Sequence, residues 1–173
     1  MNKFLLFTKI IIILIAFSLN NSILAKSINK IATIKSWEVY STKIDKKKAC
    51  YILSNPQKTD SKFKILKRDK TGVFVTNYKN GNMHEISVIA GFMFKKQSKV
   101  YFEIDGKKTE MLAVVEDRAW SESTKIDRKL VKEMKKGKEL IVSGFSERGN
   151  LIEDTYSLSG FTKALAIIDK NCS

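Results

Sequence analysis

The chain has 173 residues, 43% of them hydrophobic, and a formal net charge of +14. Its length and apolar content fit one domain with a hydrophobic core of its own. Only four of the 32 basic residues are arginine. Because lysine is a poor bidentate reader of phosphates and bases, the charge favours diffuse attraction to anionic surfaces over specific recognition. A lysine-rich proteome would produce the same excess, and the composition weighs the two explanations about equally.

The first 25 residues have the features of a cleavable secretion signal. Lys3 supplies a positive start, an apolar run follows over residues 4–19, and Ala25 is a small residue suited to the cleavage position. The uninterrupted apolar stretch is only about eight residues, against the roughly 20 that a membrane-spanning helix needs. We therefore predict a signal peptide at residues 1–25 and a single exported domain at residues 26–173. The two lysines of the signal leave that domain at +12.

Short strands joined by turn residues dominate the chain after the signal. Strands are predicted at residues 34–40, 49–54, 72–78, 83–94, 99–104, 109–115, 139–145 and 151–158, with charged connections at 41–48 and 58–70. Asn80-Gly81 and Asp105-Gly106 are typical of tight hairpin turns. Gly91 indicates a bulge or bend in its strand.

Two segments change to a helical period. Their apolar faces are Ile126, Leu130, Val131 and Met134 in the first segment, and Phe161, Ala164, Leu165 and Ile168 in the second. This spacing predicts helices at about 124–136 and 160–170, and Gly137 is placed to end the first. Hairpin-joined strands that do not alternate with helices favour a mostly β fold. We predict an antiparallel β-sandwich with two short accessory helices.

The two cysteines, Cys50 and Cys172, are expected to form one disulfide. Exported chains meet an oxidising compartment, where two cysteines most simply form a disulfide with each other. The bridge would close a loop of about 120 residues, which stabilises the fold by roughly 4–5 kcal/mol in the chain-entropy description. Two thiols and the lone His84 lack the spacing of a zinc site. No metal or other cofactor is therefore predicted.

No residue pattern indicates catalysis. His84 is the single histidine, and its place just after a turn is typical of a surface or strand-edge side chain rather than of the base that a nucleophile needs. The adjacent carboxylates Glu153 and Asp154 would point to opposite faces of a strand, which disfavours paired acid catalysis. We therefore predict that the protein is not an enzyme.

The segment 62–70 is the candidate for contact with an anionic surface. Its basic residues are Lys62, Lys64, Lys67, Arg68 and Lys70. Basic grooves with aromatic side chains such as Phe63 also bind single-stranded nucleic acid, but the export signal argues against that partner. A solvated loop is the favoured interpretation. If the segment does bind, anionic lipid or lipopolysaccharide at the cell envelope is the expected contact.

Several short motifs, in order and spacing, resemble the invasion-associated locus B family. They are Trp37, Cys50-Tyr51-Ile52, Ile104-Asp105-Gly106, Ala119-Trp120 and, most specific, the run 154–161 (DTYSLSGF) followed by Cys172. The resemblance covers nearly all of residues 26–173. It implies an exported alphaproteobacterial protein with an immunoglobulin-like β-sandwich, and it supplies no catalytic residues. Many members have four cysteines, so their disulfide pattern does not transfer to this chain.

The expected function is a non-catalytic, exported binding or structural accessory role in the cell envelope. The partner would be a protein or an anionic envelope component, reached through a basic surface. A periplasmic location is favoured, with outer-membrane association or secretion as alternatives. Two other functions remain open: a secreted factor that acts on a host cell and, less favoured, an envelope enzyme with a site built from scattered residues.

Overall fold

A computed structural model describes residues 28–62, 68, 70–111 and 113–172, and the predicted signal peptide lies outside them. The strands are β1 (Asn29–Ile34), β2 (Trp37–Ile44), β3 (Lys47–Ser54), β4 (Lys58–Ser61), β5 (Gly72–Tyr78), β6 (Glu85–Ile89), β7 (Val100–Ile104), β8 (Lys107–Met111), β9 (Ala113–Val115), β10 (Arg118–Trp120), β11 (Glu139–Phe145) and β12 (Leu151–Ser157). The helices are α1 (Thr124–Met134) and α2 (Phe161–Cys172).

The strands form two antiparallel sheets. The larger has the order β1-β2-β3-β5-β6-β10-β9, and the smaller has the order β4-β12-β11-β7-β8. Buried side chains from both sheets and both helices make one hydrophobic core. The predicted fold class, a mostly β antiparallel sandwich with two helices, is confirmed.

Side-chain alternation explains how the two sheets bury one face each. In the larger sheet the directly paired residues Val39, Ile52, Val75 and Ile86 form one buried row. In the smaller sheet Phe102 pairs with Val142, and both are buried. Because successive strand residues point to opposite faces, a one-residue slip would expose each row, so the apolar pattern fixes the register.

Both helices lie near their predicted positions and pack through their predicted apolar faces. Helix α1 begins after Ser123, whose hydroxyl accepts a hydrogen bond from the Ile126 N–H at 3.4 Å. In α2 the Phe161 ring meets the Trp37 ring edge to face, with the centroids 5.0 Å apart. Helix α2 contacts β1, β2, β3 and β5, so it covers part of the inner face of the larger sheet.

The first half of the chain has tighter hairpins than predicted. The predicted strand at 34–40 is a hairpin of β1 and β2, with Lys35 in the left-handed region at φ 54°. The predicted connection at 41–48 is another hairpin, turning at Asp45 (φ 49°) and Lys46 (φ 64°). These turns lack glycine, the residue that usually marks positive φ in a sequence.

Three other strand predictions need correction. The predicted strand at 109–115 divides between sheets, because β8 belongs to the smaller and β9 to the larger. The predicted strand at 83–94 is only β6, since regular pairing ends at Ile89, before the left-handed Gly91 (φ 67°). Within the connection predicted at 58–70, residues 58–61 form β4 because they pair with β12.

Gly160, which joins β12 to α2, is expected to be intolerant of substitution. Its φ is +93°, and a Cβ there would lie 2.3 Å from the Ile34 carbonyl oxygen. Gly160→Ala should lower the free energy of unfolding by about 2–3 kcal/mol, because it adds a clash to backbone strain. Gly106→Ala is the matched control, since Gly106 has φ +81° with nothing within 4 Å. Equal losses in thermal unfolding would contradict the proposed clash.

Candidate anion-binding surfaces

The basic residues of segment 62–70, which was predicted to contact anions, have different environments in the structure. Lys64 and Lys67 lie outside the described residues. Lys62 and Lys70 are exposed, at the end of β4 and before β5 respectively. Arg68 instead points inward, and its side chain is only 10% exposed.

Arg68 joins the two sheets through a bidentate ion pair. Its two terminal nitrogens lie 2.9 and 2.6 Å from the carboxylate oxygens of Asp154, which is on the inner side of β12. The same guanidinium donates to the Ala90 carbonyl at 2.9 Å and to the Thr59 hydroxyl at 2.8 Å. A buried carboxylate requires such partners. Arg68 is therefore engaged inside the fold and is not an exposed anion contact.

Three exposed apolar side chains lie at one end of the smaller sheet. Phe145 is 39% exposed, Leu151 43% and Met93 48%. Phe145 and Leu151 are directly opposite each other in β11 and β12. The Lys95 N–H donates to the Phe145 carbonyl at 2.9 Å, and the Glu147 N–H donates to the Met93 carbonyl at 2.8 Å, which brings Met93 to the same end.

Phe145 faces outward because its neighbour must face inward. A Cβ on Gly144 would lie 2.6 Å from the Phe94 ring, so Phe94 occupies the space above Gly144 on the inner side. Strand alternation then places the Phe145 ring on the outer face. The sequence alone does not indicate this outward position, because a phenylalanine in a strand is usually a core residue.

A groove of about 360 Å³, which we name the lysine groove, lies on one side of Phe145. Its lining residues are Lys95, Lys96, Gln97, Ser98, Lys99, Tyr101, Phe145 and Gly149. A turn shapes it: the Ser98 N–H donates to the Lys95 carbonyl at 3.0 Å, and Gln97 is left-handed at φ 59°. The described lining includes the exposed Lys95 and Lys96 and no carboxylate, so it favours an anion beside the rings of Tyr101 and Phe145.

A second groove, of about 530 Å³, lies on the other side of Phe145 and has mixed charge. Its lining residues are Asp60, Ser61, Lys62, Phe145, Gly149, Asn150, Leu151 and Glu153. Lys62 is thus the predicted residue that reaches this end of the molecule. Asp60 lies 2.7 Å from Lys58, and this hydrogen bond raises the pKa of the Lys58 ammonium. The carboxylate of Asp60 is therefore already paired.

The exposed side of α1 forms a separate basic surface, which we name the α1 basic face. It consists of Lys125, Arg128, Lys129, Lys132, Lys135 and Lys136, all exposed, the last two directly after the helix. Of the two acids of α1, Asp127 is on the buried side, whereas Glu133 borders the α1 basic face and lies 3.8 Å from Lys107 of β8. Asp127 is buried and accepts hydrogen bonds from the Ser121 hydroxyl and, at 3.0 Å, from the Ile86 N–H. The side chain of Glu133 is only 18% exposed.

The α1 basic face and the lysine groove are far apart. The carboxylate of Asp105, in the β7–β8 turn, accepts hydrogen bonds from the Lys138 and Glu139 N–H groups at 3.2 Å, so the chain leaving α1 lies at the start of β11. Phe145 is the last residue of that seven-residue strand. At about 3.4 Å per residue, the two sites are separated by about 20 Å along β11.

His84 helps to hold α2 on the larger sheet. Its Nε2 lies 2.7 Å from Asp169 Oδ1, and the Asn77 amide donates to the same oxygen at 2.8 Å. The predicted disulfide between Cys50 and Cys172 is confirmed. It lies close to these contacts, because Cys50 of β3 is paired with Asn77 of β5.

Two kinds of feature are absent from the described residues. Residues 28–62, 68, 70–111 and 113–172 contain no group of three His, Cys, Asp or Glu side chains placed to hold a metal ion. No helix in this part of the chain is both long and apolar enough to cross a membrane.

The fold and these surfaces define a disulfide-linked β-sandwich with two separate basic sites. The family model for the Invasion associated locus B (IalB) protein matches residues 37–169. The chain therefore belongs to the invasion-associated locus B family, which is associated with exported proteins. No curated protein matches the chain, and no solved structure matches it.

Proposed function

We propose that this protein is a non-catalytic binding protein of the cell envelope, exported to the periplasm, whose lysine groove engages anionic lipid or lipopolysaccharide. One observation carries the proposal: an exposed phenylalanine, Phe145, lies beside a groove whose described lining includes the exposed Lys95 and Lys96 and no carboxylate. Family membership supports export.

The two parts of this surface would contribute differently to lipid binding. Each lysine near an anionic membrane adds about 1 kcal/mol of attraction, and salt screens this contribution. Phe145 and the neighbouring Leu151 and Met93 can bury apolar surface at the boundary between headgroups and acyl chains. That second contribution resists salt, because it does not depend on charge.

The surroundings of the titratable groups support a non-catalytic role. Asp154 is paired with Arg68, and Glu153 lies on the opposite, outer side of β12 in the groove of mixed charge. The imidazole of His84 contacts Asp169 of α2. The ion pair and the His84 contact join separate elements of the fold, so these groups have structural roles.

The test is co-sedimentation of the domain 26–173 with vesicles of phosphatidylglycerol or of phosphatidylcholine at low and high salt. We expect binding to the anionic vesicles that weakens with salt. Lys95→Gln/Lys96→Gln should weaken the low-salt binding about tenfold or more, because it removes two attracted charges. Phe145→Ser should remove most of the binding that persists at high salt.

Two matched variants control for nonspecific effects. Lys43→Gln/Lys47→Gln removes two exposed lysines from the β2–β3 hairpin, and Val115→Ser removes an apolar side chain that is 54% exposed on β9. Both should bind as the unaltered domain does, with thermal unfolding as the check on folding. Equal binding to the two kinds of vesicle, or equal losses in both lysine pairs, would contradict the proposal.

A second experiment addresses location. Separation of cells into periplasm and medium should recover the protein in the periplasm. Recovery in the medium would instead favour a secreted factor in host-cell interaction, the alternative that the name of the family suggests.

A further inference from the structure

The α1 basic face is an uncompensated row of positive charge. Apart from the adjacent pairs at 128/129 and 135/136, its members are three or four residues apart, so these side chains are about 5–6 Å apart along one side of α1. None of the six forms an ion pair with another described residue. The row therefore presents its full charge to solvent.

This row of like charges destabilises α1 when no partner is bound. Like charges three and four residues apart repel each other, and Lys132 has such neighbours on both sides. Lys125 and Arg128 also lie in or next to the first turn, where the helix dipole favours acids. The acid in that turn, Asp127, is buried against Ile86 and Ser121 and does not relieve the row. An anionic partner along the row would remove the repulsion.

The chemistry of the face favours a polysaccharide over a membrane or a nucleic acid. Thr124 is the one exposed residue of α1 that is not basic, and Ile126 is packed against the core, so α1 offers no apolar side chain to a bilayer. It also has no aromatic ring on which bases could stack. The eleven-residue helix is about 16 Å long, and its charges are spaced at about the length of one sugar unit.

We propose that the α1 basic face binds a linear, densely sulfated polysaccharide, with successive lysines meeting anionic groups on successive sugars. This site is separate from the lysine groove and does not depend on its function. Five of the six residues are lysine, which contacts sulfate as a point charge without the bidentate geometry of arginine. Binding therefore depends on charge density more than on a particular sugar.

The test is binding of the domain 26–173 to size-defined heparin fragments, measured over a series of salt concentrations. Lys125→Gln/Lys129→Gln/Lys132→Gln should weaken binding about tenfold or more and should flatten the dependence on salt, because fewer counterions are released. Glutamine has nearly the helix propensity of lysine. Lys132→Gln/Lys136→Gln is the second variant should the triple variant unfold.

The matched control is Lys43→Gln/Lys47→Gln/Lys79→Gln, which removes three exposed lysines from the β2–β3 and β5–β6 connections. It should bind heparin almost as the unaltered domain does, and the sparsely charged polymer hyaluronan should bind weakly. Equal losses in the two triple variants would overturn the proposal in favour of diffuse attraction. Equally tight binding of hyaluronan, or of single-stranded DNA, would overturn the stated ligand. Vesicle binding by the α1 triple variant is measured as well, so that failure of this proposal can be distinguished from failure of the function proposed for the lysine groove.

Discussion

Replacing both Cys50 and Cys172 by serine is expected to lower the free energy of unfolding by about 4–5 kcal/mol. The bridge joins positions 122 residues apart, so its loss restores a large conformational freedom to the unfolded chain. For a domain of this size the expected fall in Tm is about 10–20 °C. The measurement is thermal unfolding in oxidising buffer, compared with the unaltered domain before and after reduction.

The double serine variant and the reduced domain should unfold at similar temperatures. An unchanged Tm in oxidising buffer would show that the bridge contributes little. Hydrogen exchange in α2 adds a second readout, because the bridge ends on Cys172, the last residue of that helix. If the bridge acts mainly on the unfolded state, the amides of α2 in the double serine variant should still exchange only when the whole domain unfolds. Contacts such as Asn77–Asp169 would hold the helix in place until then. Early exchange confined to 161–172 would indicate local undocking instead.

The elements predicted correctly are those whose signals are local in sequence. Helix α1 has a hydroxyl cap at Ser123 and apolar residues at helical spacing, and α2 has the same spacing. The disulfide followed from an export signal and an even number of cysteines. Such features depend on neighbours along the chain, so they could be predicted without the tertiary structure.

The wrong strand boundaries have tertiary or conformational causes. Lys35, Asp45 and Lys46 turn the first hairpins with positive φ although none is glycine. Strand β4 exists because it pairs with β12, which lies about 90 residues further along the chain. Pairing partners at that separation are not visible in a local pattern of residues.

For the candidate sites too, local features could be predicted and features that depend on tertiary contacts could not. Composition led to segment 62–70, but the orientation of Arg68 depends on Asp154, which is 86 residues away. The outward position of Phe145 depends on what packs against Gly144. The α1 basic face, in contrast, depends on a local pattern: Lys125, Lys129 and Lys132 have helical spacing on the polar side of the predicted helix, so the sequence alone contains the signal for it.

Asp154→Asn is expected to cost about 3–5 kcal/mol of stability, because it leaves the Arg68 guanidinium buried without its counter-charge. The side chains of Asp154 and Arg68 are only 7% and 10% exposed. Burial also raises the pKa of the Tyr156 hydroxyl two residues along the same strand, which marks a poorly solvated region. Urea unfolding measures the loss. Asp60→Asn, which breaks the exposed Lys58–Asp60 pair, is the matched control and should leave the urea midpoint almost unchanged.

Removing both partners should be less harmful than removing Asp154 alone. Arg68→Met/Asp154→Leu replaces the buried charges by apolar side chains, so no unpaired charge remains inside the sandwich. The double variant should therefore lose less stability than the sum of Arg68→Met and Asp154→Leu, with a coupling energy of about 1–3 kcal/mol. Simple additivity of the two single variants would mean that the guanidinium and the carboxylate act independently. It would then be the hydrogen bonds to Ala90 and Thr59 that hold the two sheets together at this point.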